Sequence, residues 1–226
     1  MRATGWRRVT RRKAVAALAD ERGFTTIELA LVLALVGLVI GGILGVQRIL
    51  TYNRTNDVVD TLTAYREAAR RYRAEYGALP GDDRGARARW GKTVPQAGGA
   101  ADGRVQGRYN AGAPDRESRL FWAHLRAAGL IPGKPGDTGL PRNGFGGIYG
   151  VQEDPMELEG PAICVSNLTG EVAREVLTRM GPGERDQGDV RGIQLNGTSP
   201  SITGTPSPGP IPPLENELAY VLCARI

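Results

Sequence analysis

The sequence predicts an α+β protein in which one long N-terminal helix packs on a small antiparallel sheet with long loops. Two patterns predict it: an apolar run that passes into residues at helical spacing, and four short strand candidates nearer the C-terminus. The chain has 226 residues, of which 32 are Gly and 15 are Pro, so much of it must be loop. This length suits one domain of ordinary size with appendages.

The positive charge of the chain is confined to its N-terminus. The net charge is +5, and residues 1–23 contain seven basic and two acidic residues, while the remaining 22 basic and 22 acidic residues balance. A basic body is therefore excluded, and we predict no nucleic-acid partner.

An apolar run of eighteen residues, Leu29–Val46, follows the basic segment. As a helix it would extend ~27 Å, enough to cross the hydrocarbon core of a bilayer. It is longer than the apolar region of an ordinary secretory signal peptide. The positive-inside rule predicts residues 1–23 in the cytoplasm and the chain beyond residue 47 outside. A plain membrane anchor is the alternative interpretation.

The entrance to this run reads Arg22-Gly23-Phe24-Thr25-Thr26-Ile27-Glu28-Leu29. The string GFTTIEL before an apolar helix resembles the prepilin signature of type IV pilins and type II secretion pseudopilins. The resemblance implies that a membrane peptidase cuts after Gly23 on the cytoplasmic side and methylates the new N-terminal residue, Phe24. Glu28 would then be the fifth residue of the mature protein.

This resemblance implies a pilin-like fold and a structural subunit without catalytic site or cofactor. The 203 residues that follow Gly23, with their long Gly- and Pro-containing loops, favour a minor pilin or a pseudopilin over a major pilin. Its implied partners are the prepilin peptidase, other pilin or pseudopilin subunits and the inner-membrane assembly platform. We expect a single-pass inner-membrane precursor that later enters a pilus or pseudopilus. The expected organisation is a cleaved leader (1–23), a membrane and filament-core helix (24–50), its amphipathic continuation (51–79) and a periplasmic α+β part (80–226).

Glu28 needs a counter-ion because a carboxylate is costly at the mouth of a membrane helix. Cleavage would create an ammonium at Phe24, which also needs a partner when subunits pack away from water. We therefore expect an ion pair between Phe24 and Glu28 of neighbouring subunits, whose disruption would cost about 3 to 5 kcal/mol. In the family that this sequence resembles, a proline or glycine in this zone marks where the helix loosens during assembly, so the resemblance implies a hinge at Gly41, Gly42 and Gly45. Close packing of helices through these small residues and ordinary membrane-helix composition are the alternatives.

Beyond the apolar run, apolar residues recur at spacings of three and four, which predicts that one helix runs from Thr25 to Tyr76. They are Val58, Leu62, Tyr65, Ala69, Tyr72 and Tyr76. Gly77 and the following Leu79-Pro80-Gly81 predict the end of the helix.

Residues 80–114 show no period and predict an extended loop. A second helix is predicted from Asp115, as N-cap, to Ala128, with Gly129 as its C-terminal cap. His124, the one histidine of the sequence, lies beside apolar residues, and we predict a buried, hydrogen-bonded histidine rather than a catalytic or metal-binding one.

Four strands are predicted in the remainder, with a short helix over 171–180. Their ranges are 147–152, 162–166, 190–195 and 217–224. The low-complexity segment 196–213 predicts a surface loop between the last two strands. Cys164 and Cys223 lie in two of these strands and, because the predicted topology places them in an oxidising compartment, we expect a disulfide rather than two thiols.

An enzyme and a binding protein are the two alternative function classes. An enzyme would need a recognisable nucleophile and base, which this sequence lacks, and the adjacent carboxylates Asp82 and Asp83 are expected to be solvated turn residues. A membrane-anchored periplasmic binding protein is the other alternative. Asp186 and Asp189 in a Gly-containing loop are weak calcium ligand candidates, because their spacing lacks the EF-hand pattern.

Overall fold

A computed structural model describes residues 25–95, 100–181, 190–194 and 219–226. The chain divides into two compact units at the junction of Val46 and Gln47. The described part of the first unit is Thr25 and the beginning of a helix, whereas the second unit contains all of the described strands.

The described residues form four α-helices and four strands. The helices are α1 (Thr26–Tyr76), α2 (Ala86–Trp90), α3 (Glu117–Ala127) and α4 (Gly170–Met180). The strands are β1 (Tyr149–Glu153), β2 (Pro161–Leu168), β3 (Val190–Gln194) and β4 (Tyr220–Arg225). The strands pair antiparallel in the order β1-β2-β4-β3. The protein is therefore α+β with an antiparallel sheet, as the sequence predicts.

One face of the sheet lies in the main hydrophobic core. Val58, Leu62 and Tyr72 of α1 belong to the same buried cluster as Ile163 of β2 and Leu222 of β4. The apolar face predicted for the second half of α1 is thus buried. Side chains of α3 and α4 complete this cluster, among them Phe121, Trp122, Leu125, Val172 and Val176.

A second, smaller apolar cluster covers the other face of the sheet. Tyr109, Met156 and Leu158 come from loops and pack against Cys164 and Cys223. The approach is close, because a Cβ placed on Gly150 of β1 would lie 1.9 Å from the Tyr109 carbonyl oxygen. Glycine at position 150 is what lets the loop cross β1 at this distance.

The segment predicted as an extended loop, 80–114, contains α2 and a 3₁₀ turn at Gly91–Thr93. Its side chains also enter the interior, since Val94, Val105 and Tyr109 are buried. The prediction of an element-free loop is wrong here because a five-residue helix is too short to show a helical period.

Helix α3 begins one residue later than predicted, at Glu117. Arg116 occupies the N-cap position without a side-chain cap, so the assignment of that role to Asp115 is wrong. Its end is as predicted: Gly129 has φ of +69°, and Leu130 N–H donates to the Leu125 carbonyl at 3.0 Å, the Schellman arrangement. At α4, the Thr169 hydroxyl accepts from Val172 N–H at 3.5 Å and caps the helix.

Candidate functional site

Thr25 is the first residue of the predicted processing motif that the structure describes. Gly23 and Phe24, the expected cleavage and methylation positions, lie outside the described residues. Helix α1 begins at Thr26, so Glu28 falls in its first turn. The structure therefore describes Glu28 but not Phe24, its expected partner. The ion pair between them stays a prediction.

Thr25 and Glu28 form a reciprocal cap at the start of α1. The main-chain N–H and the hydroxyl of Thr25 each donate to the Glu28 carboxylate at 2.9 Å. In return Glu28 N–H donates to the Thr25 hydroxyl oxygen at 3.3 Å. This is a capping box, whose sequence signal is Thr-x-x-Glu. The prediction from the sequence assigned Glu28 to the ammonium of Phe24 alone and missed this second role.

The cap fixes the direction of the Glu28 carboxylate. Because it binds the N–H of Thr25, the carboxylate lies at the N-terminal end of α1, where helix N–H groups favour negative charge. Phe24 immediately precedes Thr25 in the chain. The same side chain can thus close the helix end and present a negative charge beside the position of a new N-terminus.

The apolar part of α1 is uncovered. The large apolar side chains that are exposed among the described residues all lie between Ile27 and Tyr52, and Leu38 has 75% of its surface accessible. A helix with apolar side chains on every side is typically buried, either among other protein segments or in a membrane. Within the described residues, no helix meets the length and hydropathy required to cross a membrane.

Two glycines of this segment, Gly41 and Gly42, have open space around the position of a side chain. A Cβ added at Gly41 or Gly42 would find no atom within 4 Å. Gly45 lies among the helix residues whose side chains are not described. The hinge expected at these three glycines stays a prediction.

Asp82 and Asp83 are not the solvated turn residues expected from the sequence. Both are buried, with 3% and 6% of their surface exposed. Asp83 pairs with the Arg89 guanidinium and accepts hydrogen bonds from the Tyr72 hydroxyl and from Gly85 N–H, each at 2.7 Å. The expectation was wrong because the turn folds inward over α1 and brings the carboxylate to Tyr72.

Asp82 belongs to a set of carboxylates that hold the loop at residues 100–106. It accepts from Ala101 N–H and, at 2.7 Å, from Gly103 N–H. Glu117 accepts from Ala100 and Gln106 at 2.9 and 2.6 Å, and Glu153 accepts from Val105 at 2.9 Å. Backbone N–H groups of a loop without regular structure are thereby hydrogen-bonded to side chains.

Burial sets the titration of two members of this set. It raises the pKa of Glu117 and of Glu153, while the backbone N–H groups bound to each carboxylate act in the opposite direction. These carboxylates are engaged with backbone inside one chain, and this arrangement has a structural role.

His124 is buried and hydrogen-bonded, as predicted. Only 1% of its surface is exposed, and its Nδ1 accepts a hydrogen bond from Gly81 N–H at 2.9 Å. Gly81 has φ of +91°, and a Cβ there would lie 2.4 Å from the Glu117 carbonyl oxygen. Desolvation lowers the pKa of His124 to about 4, opposed by the charge of Asp83 and assisted by that of Arg89.

This buried histidine predicts acid sensitivity. Because the folded-state pKa is below the unfolded value near 6.5, the unfolded chain takes up the proton first as the pH falls. The contribution is present above pH 6.5 and is lost between pH 6.5 and 4. Between pH 7 and pH 5 we expect the wild type to lose about 2 kcal/mol more unfolding free energy than His124→Gln. Urea denaturation of both proteins at the two pH values measures this, and equal losses would contradict it.

The predicted disulfide is present in the structure. Cys164 and Cys223 are joined, and they lie directly opposite each other on β2 and β4. Both are fully buried. The bond fastens the centre of the sheet, across the connection that contains the low-complexity segment 196–213, which lies outside the described residues.

The calcium candidates Asp186 and Asp189 also lie outside the described residues. Across the ranges that the structure describes, no group of three or more His, Cys, Asp or Glu side chains is arranged to hold a metal ion.

Comparison with known proteins found no matching family model, no similar curated protein and no similar solved structure.

Proposed function

We propose that this chain is a pilin-like structural subunit that a prepilin peptidase trims after Gly23 and methylates at Phe24. The processed subunit assembles through α1 into a type IV pilus or a type II secretion pseudopilus, as a minor pilin or pseudopilin. In this role the protein is not an enzyme and needs no cofactor.

The observation that carries the proposal is the string Gly23-Phe24-Thr25-Thr26-Ile27-Glu28-Leu29 between a basic leader and the run Leu29–Val46. Each component is common by itself. Their combination places a single carboxylate at the entrance of an apolar helix and five residues after a Gly-Phe junction. A plain membrane anchor has no use for that carboxylate, which is costly near lipid.

The surface of the described chain supports an assembly role. Its exposed large apolar side chains are confined to residues 27–52, so that segment is where a partner would bury the most apolar surface. A bundle of such segments from several copies would cover each helix on all sides. The same segment is suited to reside in the inner membrane before assembly, with the leader in the cytoplasm and the α+β part in the periplasm.

The capping box adds support at the residue that the motif singles out. Thr25 holds the Glu28 carboxylate at the helix N-terminus, so little further ordering of the side chain is needed before it meets an ammonium there. Pre-ordering of this kind lowers the entropic cost of an intermolecular contact.

Co-expression with the prepilin peptidase, partner pilins and assembly platform tests the proposal. We expect a shortened chain in the sheared filament fraction with active peptidase, and a full-length chain in the membrane fraction with an inactive peptidase. A full-length chain beside active peptidase would contradict processing, and a shortened chain that never leaves the membrane fraction would contradict assembly.

A further inference from the structure

Two pairs of opposite charges lie on the part of α1 that belongs to the second unit. Asp57 and Asp60 are three residues apart, as are Arg70 and Arg73, and all four side chains are exposed. Residues three apart are neighbours on a helix surface, so each pair lies together. We call the two pairs the acidic patch (Asp57, Asp60) and the basic patch (Arg70, Arg73).

One exposed residue of opposite charge adjoins each patch. Arg54 lies beside Asp57 and Glu67 beside Arg70, and Glu67 is paired with Arg71.

Helix geometry sets the positions of the patches. Each acidic residue precedes its basic counterpart by thirteen residues. At 3.6 residues per turn and 1.5 Å per residue, the basic patch is ~20 Å further along the axis and rotated by roughly 140°. The patches therefore point away from each other and cannot pair within one helix.

Burial raises the pKa of Tyr65 and of Tyr149, and the charge of Asp57 acts on both tyrosines in the same direction. Arg71 and Glu67 form an ion pair on the same helix, as do Arg179 and Glu175 on α4. In the described ranges no ion pair or side-chain hydrogen bond involves a residue of either patch. Both patches are thus available to another molecule.

The chemistry of the surrounding surface restricts how copies can meet here. Among the described residues, exposed large apolar side chains end at Tyr52. A contact between copies beyond that point is therefore made by polar groups, and charge complementarity decides its register. Two complementary patches at different places on one molecule make a head-to-tail contact, which generates an open filament when it does not close into a ring.

We propose that the acidic patch of one copy binds the basic patch of an adjacent, parallel copy displaced by ~20 Å along the helix axis. The contact fixes the axial register of neighbouring subunits along the part of α1 that follows the apolar segment 27–52. This inference rests on the proposed function, because it requires copies that assemble side by side.

Charge reversal tests the pairing in the full chain, co-expressed with the peptidase and assembly machinery. The acidic reversal is Asp57→Arg with Asp60→Arg, and the basic reversal is Arg70→Asp with Arg73→Asp. We expect each to lower incorporation into sheared filaments by at least about tenfold, because like charges then face each other. Combining all four changes in one chain restores complementarity and should return incorporation to within about threefold of wild type.

Asp115→Lys and Lys134→Glu are matched controls, since both residues are exposed and neither belongs to α1. They should assemble as wild type. Cleavage after Gly23 should be unchanged in all variants, which shows that each is made and inserted.

The outcomes separate the explanations. Wild-type incorporation by both single-patch reversals, or failure of the combined variant to recover, would overturn the pairing. A defect of the basic reversal alone would indicate that Arg70 and Arg73 bind a polyanion instead. If the wild-type chain is neither cleaved nor incorporated, the proposed function fails and the pairing fails with it.

Discussion

Replacing Glu28 by valine should leave cleavage after Gly23 largely intact and lower incorporation into filaments by at least about 100-fold. The reason is the unpaired ammonium of Phe24, since removing one member of a buried ion pair typically costs about 3 to 5 kcal/mol. At about 1.4 kcal/mol per factor of ten, this cost exceeds two orders of magnitude. Sheared filaments and membranes, quantified by immunoblot, give the ratio.

The capping box provides the control, because Glu28 also closes α1 through Thr25. Glutamine can replace glutamate in a capping box but carries no charge. Glu28→Gln should therefore assemble as poorly as the valine variant if the ion pair is the cause. Thr25→Val removes the capping hydroxyl but keeps the carboxylate, and its defect should be smaller. Wild-type assembly of Glu28→Gln would contradict the ion-pair argument and leave the cap as the role of Glu28.

Replacing Asp83 by asparagine should lower the unfolding free energy by about 3 kcal/mol, at the low end of the cost of breaking a buried ion pair. The low end applies because the Arg89 side chain keeps 33% of its surface exposed and can turn to water. Asparagine retains one acceptor oxygen, so it cannot serve Arg89, the Tyr72 hydroxyl and Gly85 N–H together.

The measurement is chemical denaturation of the purified chain at pH 7, with Asp115→Asn as the control. Asp115 is exposed, and its replacement should change stability by less than about 0.5 kcal/mol. If Asp83→Asn cost no more than the control, the buried cluster of Tyr72, Asp83 and Arg89 would not stabilise the fold.

Regular elements were predictable because their signals are local. The spacing of Val58, Leu62 and Tyr72 predicted the buried face of α1, and short apolar runs placed all four described strands within a few residues. The disulfide followed from two cysteines in strand candidates and a predicted compartment. In each case neighbouring residues in the sequence carried the information.

The burial of Asp82 and Asp83 could not be predicted from the residues next to them in the sequence. Pro80-Gly81-Asp82-Asp83 has the composition of an exposed turn, and nothing within it indicates burial. The groups that bind Asp82, the N–H of Ala101 and of Gly103, come from about twenty residues further along the chain. Only the tertiary fold brings them together.

The net charge of the chain also did not predict which charged side chains are buried. The formal neutrality of the chain beyond residue 23 hides the fact that Asp82, Asp83 and Glu117 are buried. Their carboxylates accept hydrogen bonds from backbone N–H groups, and Asp83 also pairs with Arg89. The position of each charge, which composition does not contain, decides which patches can meet a partner.

The most direct test of the central claim is the chemical identity of the N-terminus. Tandem mass spectrometry of the N-terminal peptide of the chain, purified from cells with an active prepilin peptidase, should show a protein that begins at N-methylated Phe24. The same preparation from cells with an inactive peptidase should keep the leader residues that precede Phe24. A chain that keeps residues 1–23 in the presence of the active enzyme would contradict the proposed function.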